Sequence, residues 1–181
     1  MKELSLNVLD VAKNSVRAGA SLVEILIATD EAGWLTLVIN DDGCGMSEET
    51  VKGVTDPFYT TRSTRKVGMG LPLLKMAAEQ TGGSLKIVSC DDPEKSGTRI
   101  EARFDTNSID CMPMGDIAST VCILIAGSPE IDFDFEHTLP GGSITLKTKE
   151  LREVLGGVSL AEPEVQQWMR EYLEEQYASL K

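Results

Sequence analysis

Apolar and polar positions follow two different periods along the first hundred residues. Residues 4–18 repeat their apolar side chains with the period of an α-helix, and Val8, Leu9, Ala12 and Val16 share one face of it. Four shorter apolar stretches, bounded by turn residues, have the length and composition of β-strands. They cover residues 22–28, 34–40, 84–90 and 97–104.

Two further helices are predicted between the second and third strands. Ser47 is a suitable N-cap for a short helix that opens with Glu48 and Glu49. A longer helix fits residues 71–81, with Pro72 in its first turn. This order of elements predicts an α+β fold, an α/β sandwich in which one layer of helices packs on a mixed, mostly antiparallel sheet.

The rest of the chain predicts a smaller additional unit. After a first domain of residues 1–105, residues 106–115 mix Asn, Ser, Pro and Gly and are interpreted as a linker. Residues 116–181 then predict an extension of one helix, a β-hairpin and two helices. The last helix has an apolar stripe that either packs on its own domain or docks a partner. Its members are Val165, Trp168, Met169, Tyr172, Leu173 and Tyr177.

Composition and charge exclude several classes of protein. A length of 181 residues with 41% hydrophobic residues is enough for a packed core. A net charge of −12 lacks the basic surface that a nucleic-acid binder needs. The apolar runs are too short to span a membrane and no signal peptide is visible, so a cytoplasmic protein that contacts no membrane is expected. Four cysteines without a CxxC pair, beside a single histidine, argue against a zinc site.

Two of the polar segments have residues suited to catalysis or binding. Asp10 and Asn14 share a side of the first helix, where a carboxylate can act as a general base and a carboxamide oxygen can bind Mg²⁺. The segment DDGCG at 41–45 ends the second strand, where Asp41 can accept a hydrogen bond from an exocyclic amine. A solvated helix face and an ordinary turn explain the same residues equally well.

Two other segments suit an anion. Gly68 and Gly70 precede a helix whose N-terminal amides attract phosphate. Arg62, Arg65 and Lys66 cluster in the loop before it, and three cations in an acidic chain favour a ligand such as a triphosphate. Glycines before helices and solvated basic loops are common, so neither segment is decisive alone.

All these segments occur together in a fixed order, at nearly even separations. In this combination the sequence resembles the GHKL superfamily of ATPases, which includes DNA gyrase B, Hsp90, sensor histidine kinases and MutL. The resemblance covers about residues 4–105. It implies a Bergerat-type fold with ATP and Mg²⁺ as cofactors.

The resemblance also implies roles for single residues near the N-terminus. DVAKNSVRAGAS at 10–21 is similar to the N box, most closely that of MutL. Asn14 would then hold Mg²⁺. Asp10 stands where hydrolytic members have a glutamate, which makes it the candidate general base.

DDGCGM at 41–46 resembles the G1 box. The resemblance makes Asp41 the partner of the adenine amino group. It places Gly43 and Gly45 in the pocket walls and Met46 among the nucleotide contacts.

Three later segments complete the resemblance. DPFYTTR at 56–62 is similar to the F box of histidine kinases, and residues 67–85 are similar to their G2 box and the following helix. In Gly97-Thr98, Thr98 would help Asp41 hold adenine. The remaining nucleotide contacts that the resemblance implies are Phe58, Arg62, Arg65, Lys66, Gly68, Gly70 and Leu71.

The resemblance leaves the use of ATP open. The kinase-like F and G2 boxes favour a stand-alone regulatory protein that phosphorylates a separate protein in signal transduction, as histidine-kinase catalytic domains and anti-sigma serine kinases do. The MutL-like N box favours a slow ATPase that drives a conformational switch, and a nucleotide-binding subunit without turnover is the third alternative. His137 lies on a predicted strand, which disfavours it as a phosphoacceptor. An unknown protein partner is expected to dock on the extension, and a homodimer is the alternative assembly.

Overall fold

The computed structural model describes residues 3–56 and 69–180. The helices are α1 (Leu4–Arg17), α2 (Glu48–Gly53), α3 (Gly70–Gln80), α4 (Ile117–Gly127), α5 (Thr148–Leu155) and α6 (Pro163–Ser179). The strands are β1 (Leu22–Thr29), β2 (Trp34–Asp41), β3 (Ser84–Cys90), β4 (Gly97–Asp105), β5 (Asp132–Leu139) and β6 (Gly142–Lys147). Each of these elements was expected from the sequence, and the observed ends of α1, α3 and β1 to β4 differ from the predicted ones by one residue at most.

The six strands form one sheet in the order β3-β4-β2-β1-β5-β6. All neighbours are antiparallel except β1 and β5, which run parallel. The prediction of a mixed, mostly antiparallel sheet with helices is therefore confirmed. In this register Asp41 at the end of β2 lies opposite Thr98 on β4.

The helices cover one face of the sheet. Side chains of a strand alternate between the two faces, so each strand contributes every second residue to the interior. On β1 these residues are Val23, Ile25 and Ile27, all at most 1% exposed. They belong to a single hydrophobic core that runs from α1 to α6. The other face carries polar side chains such as Glu24 and Asn40, which hydrogen-bond each other at 2.6 Å.

Strands β5 and β6 extend the same sheet as the first four strands. Ile25 on β1 is paired with Phe135 on β5, and both side chains are buried. Helix α4 packs against α1, and α6 packs against α4. The extension expected at 116–181 thus contributes strands and helices to the core that the first hundred residues use.

Two apolar stripes differ in detail from the expected ones. On α1, Val11 and Ser15 are buried, whereas Leu9 and Val16 are only partly buried. Ser15 lies on the buried face, where its hydroxyl bonds Asp41 at the end of β2.

On α6, only part of the expected stripe faces the core. Met169 and Leu173 are buried, but Trp168 and Tyr172 are 47% and 37% exposed. This side of α6 follows the edge of the sheet, where the Gln176 side chain bonds the backbone N–H and C=O of Thr145 on β6. Gln176 thereby satisfies backbone groups of an edge strand that would otherwise be open to other chains.

Candidate functional site

Asp41 is a buried carboxylate held at the end of β2. It is 8% exposed. The Ser15 hydroxyl on α1 donates to its Oδ2 at 2.5 Å, and the Gly43 amide donates to its Oδ1 at 3.0 Å. A carboxylate has about four lone-pair positions, so these two bonds fix its orientation and leave capacity for a ligand.

The neighbouring Asp42 has a different role. It accepts hydrogen bonds from the backbone amides of Ser21 and Leu22, at 2.7 and 2.9 Å, and from the Ser21 hydroxyl. Burial alone would raise the pKa of Asp42, but these hydrogen bonds outweigh it and hold the pKa below its ordinary value. Asp42 therefore anchors the start of β1, and Asp41 alone is directed at the interior.

A small hydroxyl network adjoins Asp41 on β3 and β4. Thr98 lies across from Asp41 and is 9% exposed. Its hydroxyl is 2.7 Å from that of Ser89, which also accepts a hydrogen bond from the Met46 amide at 2.8 Å. This network ties the loop after β2 to the two strands beside it.

The two glycines of this loop are required by close packing. A Cβ on Gly43 would lie 2.8 Å from the Cβ of Ala18. Gly45 has a φ of +68°, and a Cβ there would lie 1.8 Å from the carbonyl oxygen of Cys90. The loop therefore passes between α1 and the end of β3 at backbone distance, which only glycine allows.

These elements enclose a cavity of about 280 Å³. Its wall combines polar groups with apolar side chains, a composition common in small-molecule sites. Six of the residues predicted from the sequence line it, namely Asn14, Asp41, Gly45, Met46, Leu71 and Thr98. The others are Ser15, Arg17, Ala18, Cys44, Val54 and Ile100.

Two predicted residues lie where α1 meets the start of α3. A Cβ on Gly70 would lie 3.2 Å from the Cβ of Asp10, so the absence of a side chain lets the helices approach. Asp10 is exposed one turn before Asn14, and it does not line the cavity. Asn14 Oδ1 accepts a long hydrogen bond of 3.4 Å from Arg17.

The sequence matches a family profile over the region that builds this cavity. The family is described as histidine kinase-, DNA gyrase B- and HSP90-like ATPase, and its model matches residues 2–108. The chain belongs to this ATPase family. The match contains α1 to α3 and β1 to β4, so β5, β6 and the helices α4 to α6 lie beyond it.

Relatives of this ATPase domain include bacterial sensor kinases. The sensor histidine kinase CpxA of Escherichia coli (strain K12) is 29% identical over 96 residues, which cover 50% of this chain and 20% of that protein. The chain thus matches only about a fifth of the length of this curated relative.

Solved structures of the same fold cover more of the chain. The MutL ATPase domain of Aquifex aeolicus, solved with ADP, has a TM-score of 0.56 at 16% identity and covers 86% of this chain and 70% of its own. The N-terminal domain of a DNA repair protein has a TM-score of 0.59 at 14% identity, covering 81% of this chain and 53% of its own. At these identities the likeness shows the fold of the ATPase family.

Some residues that the family resemblance implies lie outside the described residues. They are Phe58, Arg62, Arg65, Lys66 and Gly68. Conversely, the structure adds two residues of this ATPase domain that the sequence did not single out. Ser15 directly follows Asn14 in the N box, which was an available signal, whereas nothing in the sequence around Ser89 marks it.

Within residues 3–56 and 69–180, no three His, Cys, Asp or Glu side chains cluster as metal ligands. An ion bound through Asn14 would accordingly take most of its ligands from elsewhere, as Mg²⁺ does when it bridges phosphates and water. None of the helices in the described part of the chain combines the length and apolar character needed to cross a membrane.

Proposed function

We propose that the chain binds Mg-ATP in the cavity beside Asp41 and acts as a regulatory kinase on a separate protein. The observation that carries ATP binding is the buried carboxylate of Asp41, oriented by Ser15 and Gly43, with Thr98 across from it. An exocyclic amine that donates to Asp41 matches this arrangement, because the carboxylate can only accept.

The remaining walls suit the rest of a nucleotide. Leu71, Ile100 and Val54 offer apolar surface to a purine ring. Helix α3 begins at Gly70, where its first amides favour the phosphates. Arg62, Arg65 and Lys66 precede this helix in the sequence and would add positive charge to the same end.

In this proposal Mg²⁺ is held by Asn14 together with phosphate and water oxygens. The carboxamide oxygen of Asn14 is a suitable hard ligand, and its bond to the exposed Arg17 is long enough, at 3.4 Å, to be given up. The ion would neutralise phosphate charge. Asp10, one turn earlier and exposed, would orient water near that end of the site.

Calorimetric titration with Mg-ATP tests the binding proposal. Asp41→Asn replaces a carboxylate, which accepts through both oxygens, with an amide, which accepts only through one. ATP affinity should therefore fall by at least tenfold, about 1.4 kcal/mol. Asp42→Asn is the matched control, because its carboxylate bonds Ser21 and Leu22 instead. Equal losses in both variants, or no binding by the wild type at millimolar ATP, would contradict the proposal.

The phosphoacceptor of such a kinase would lie outside this sequence. His137 is its only histidine, and it is 4% exposed with Nδ1 2.7 Å from the Tyr177 hydroxyl. Labelled ATP should therefore transfer phosphate to an added protein and not to the chain itself. Label on His137 would contradict this assignment.

A slow ATPase is the second candidate, favoured by Asp10 on the same side of α1 as Asn14. Phosphate release that Asp10→Asn abolishes while ATP binding persists would support it. No release, with label on the added protein, would support the kinase.

We propose that the protein partner docks between α5, β6 and α6 through a basic segment. Trp168 and Tyr172 stack there with centroids 5.1 Å apart, in a groove that is also lined by two carboxylates, Glu136 and Glu150, and one cation, Lys147. Exposed aromatic rings with carboxylates around them suit Lys or Arg side chains.

The free cysteines of the chain fit the reducing cytoplasm, which we propose as its compartment.

A lysine- and arginine-rich probe peptide tests this docking surface by fluorescence anisotropy. Trp168→Ala should weaken peptide binding several-fold, whereas Ile123→Ala, at a residue that is similarly exposed on α4, should not. Equal affinity in both variants would indicate attraction by net charge alone and overturn the surface. A Trp168-dependent dimer in sedimentation without peptide binding would assign it to a second copy instead.

A further inference from the structure

Ser89 lies outside the sequence motifs and is the centre of a hydrogen-bond network that links two of them. It lies on β3, and its Oγ makes three polar contacts. The Met46 amide is at 2.8 Å, the Gly97 carbonyl oxygen at 3.0 Å and the Thr98 hydroxyl at 2.7 Å. One hydroxyl thus joins the loop after β2 to the strand that carries Thr98.

The protons of this network have only one complete arrangement. A serine hydroxyl has one proton and two acceptor lone pairs. The Gly97 carbonyl can only accept, so the Ser89 hydroxyl donates its hydrogen bond to it. The Met46 amide can only donate, so Ser89 accepts from it. The contact with Thr98 then needs a proton from Thr98. In this arrangement all three contacts of Ser89 are satisfied, and the Thr98 hydroxyl has no proton left for a ligand.

The consequence concerns the polarity of the cavity. Thr98 Oγ1 presents acceptor lone pairs, and Asp41 opposite it on β2 is a carboxylate that also accepts. The Ser15 hydroxyl donates to Asp41 and is likewise engaged. The end of the pocket between Asp41 and Thr98 therefore offers acceptors to a ligand, so a group with two N–H protons fits it and a carbonyl oxygen does not.

We propose that Ser89 is a positioning residue that sets the preference for a 6-amino over a 6-oxo purine. It acts by accepting a hydrogen bond from the Thr98 hydroxyl and another from the Met46 amide. The inference rests on the proposed ATP binding and identifies a residue that tunes the choice of base.

The test compares ATP with inosine triphosphate, which has a carbonyl oxygen in place of the amino group. Calorimetric titration of the wild type should show a clear preference for ATP. Ser89→Ala frees the Thr98 proton to donate to a ligand oxygen, so the ratio of the two dissociation constants should shrink about five- to tenfold. Ser89→Thr retains the hydroxyl and should restore the ratio.

The controls separate positioning from a general structural effect. Ser84→Ala, at an exposed position of the same strand, should change neither affinity. If Ser89→Ala weakens ATP and inosine triphosphate equally, or leaves both unchanged, the role of Ser89 is overturned while ATP binding stands. If the wild type binds neither nucleotide, the proposed function itself fails and this inference with it.

Discussion

His137 and Tyr177 form a polar pair inside the molecule, between β5 and α6. The rings meet edge to face with centroids 5.7 Å apart, and the Tyr177 hydroxyl satisfies Nδ1 at 2.7 Å. Burial lowers the pKa of His137, because the interior disfavours a charged imidazolium. Burial likewise raises the pKa of Tyr177, so both groups stay neutral at neutral pH.

This pair predicts how stability depends on pH. An unfolded histidine titrates near 6.5, above the lowered folded value, so between these values the unfolded state binds more protons. The free energy of unfolding should be constant with respect to His137 above about pH 6.5. It should fall as the pH decreases toward the folded pKa, by at most about 1.4 kcal/mol per pH unit.

Urea unfolding between pH 5 and 8 measures this slope. His137→Gln removes the titrating group and keeps an amide that can bond Tyr177, so its slope should be smaller in the acidic half of the range. Asp42 and Asp116 have lowered pKa values, so the stability that they contribute is lost only at more acidic pH. If the free energy of unfolding changes with pH equally in wild type and variant, protonation of His137 does not destabilise the fold.

At the scale of single residues, the sequence predicts the site residues that belong to a short motif. Asp41 could be chosen over Asp42 because it occupies the first position of the DxGxG pattern, and the structure directs only Asp41 at the cavity. Ser89 could not be chosen in this way, and the place of Ser15 beside Asn14 in the N box does not by itself reveal its contact with Asp41. Their roles depend on contacts between residues 26 and 43 positions apart, which arise only when α1 and β3 pack beside the loop.

At the scale of elements, the loop after β2 is the most constrained part of the site. Gly45 and Gly19 both have positive φ, +68° and +72°. They differ in surroundings, since a Cβ on Gly19 would meet nothing within 4 Å, whereas on Gly45 it would overlap the backbone of Cys90. The two positions therefore separate the cost of the backbone conformation from the cost of a clash.

Alanine at each position tests this difference. Gly19→Ala should destabilise the fold by about 1–2 kcal/mol, the usual cost of a left-handed conformation. Gly45→Ala should cost clearly more and should also weaken ATP binding, because the loop must move away from β3 and break the bond from Met46 to Ser89. Urea unfolding and calorimetric titration give the two readouts. Equal losses of stability and of ATP affinity in the two variants would mean that the loop moves away from β3 at no additional cost.

Local signals predicted the elements well. Ser47 caps α2 by accepting from the Thr50 amide, as its position suggested, and Pro163 is the first residue of α6. Such signals are contained within one turn of chain. The pairing of β1 with β5 has no local signal, because β1 by itself shows only an apolar run and β5 by itself only alternating polarity.

At the scale of the whole molecule, the question is whether residues 1–105 fold alone. Strand β1 is paired on both sides, with β2 and with β5. Helix α4 covers part of α1 and contributes Val121 and Ile125 to the common core. Phe133 and Phe135 on β5 are each 1% exposed. The segment after residue 105 therefore completes the core that supports the candidate nucleotide site.

Removal of residues 106–181 should accordingly abolish cooperative folding. The shortened chain would expose the β1 edge and the apolar surface of α1 that α4 covers, and both favour aggregation. Thermal unfolding followed by circular dichroism should show a broad transition, and ATP affinity should be lost with it. The control is Trp168→Ala with Tyr172→Ala in the full chain, which alters exposed side chains of the same segment and should leave both properties intact. A shortened protein that melts cooperatively and binds ATP as tightly as the full chain would instead support the interpretation of residues 106–115 as a linker between independent units.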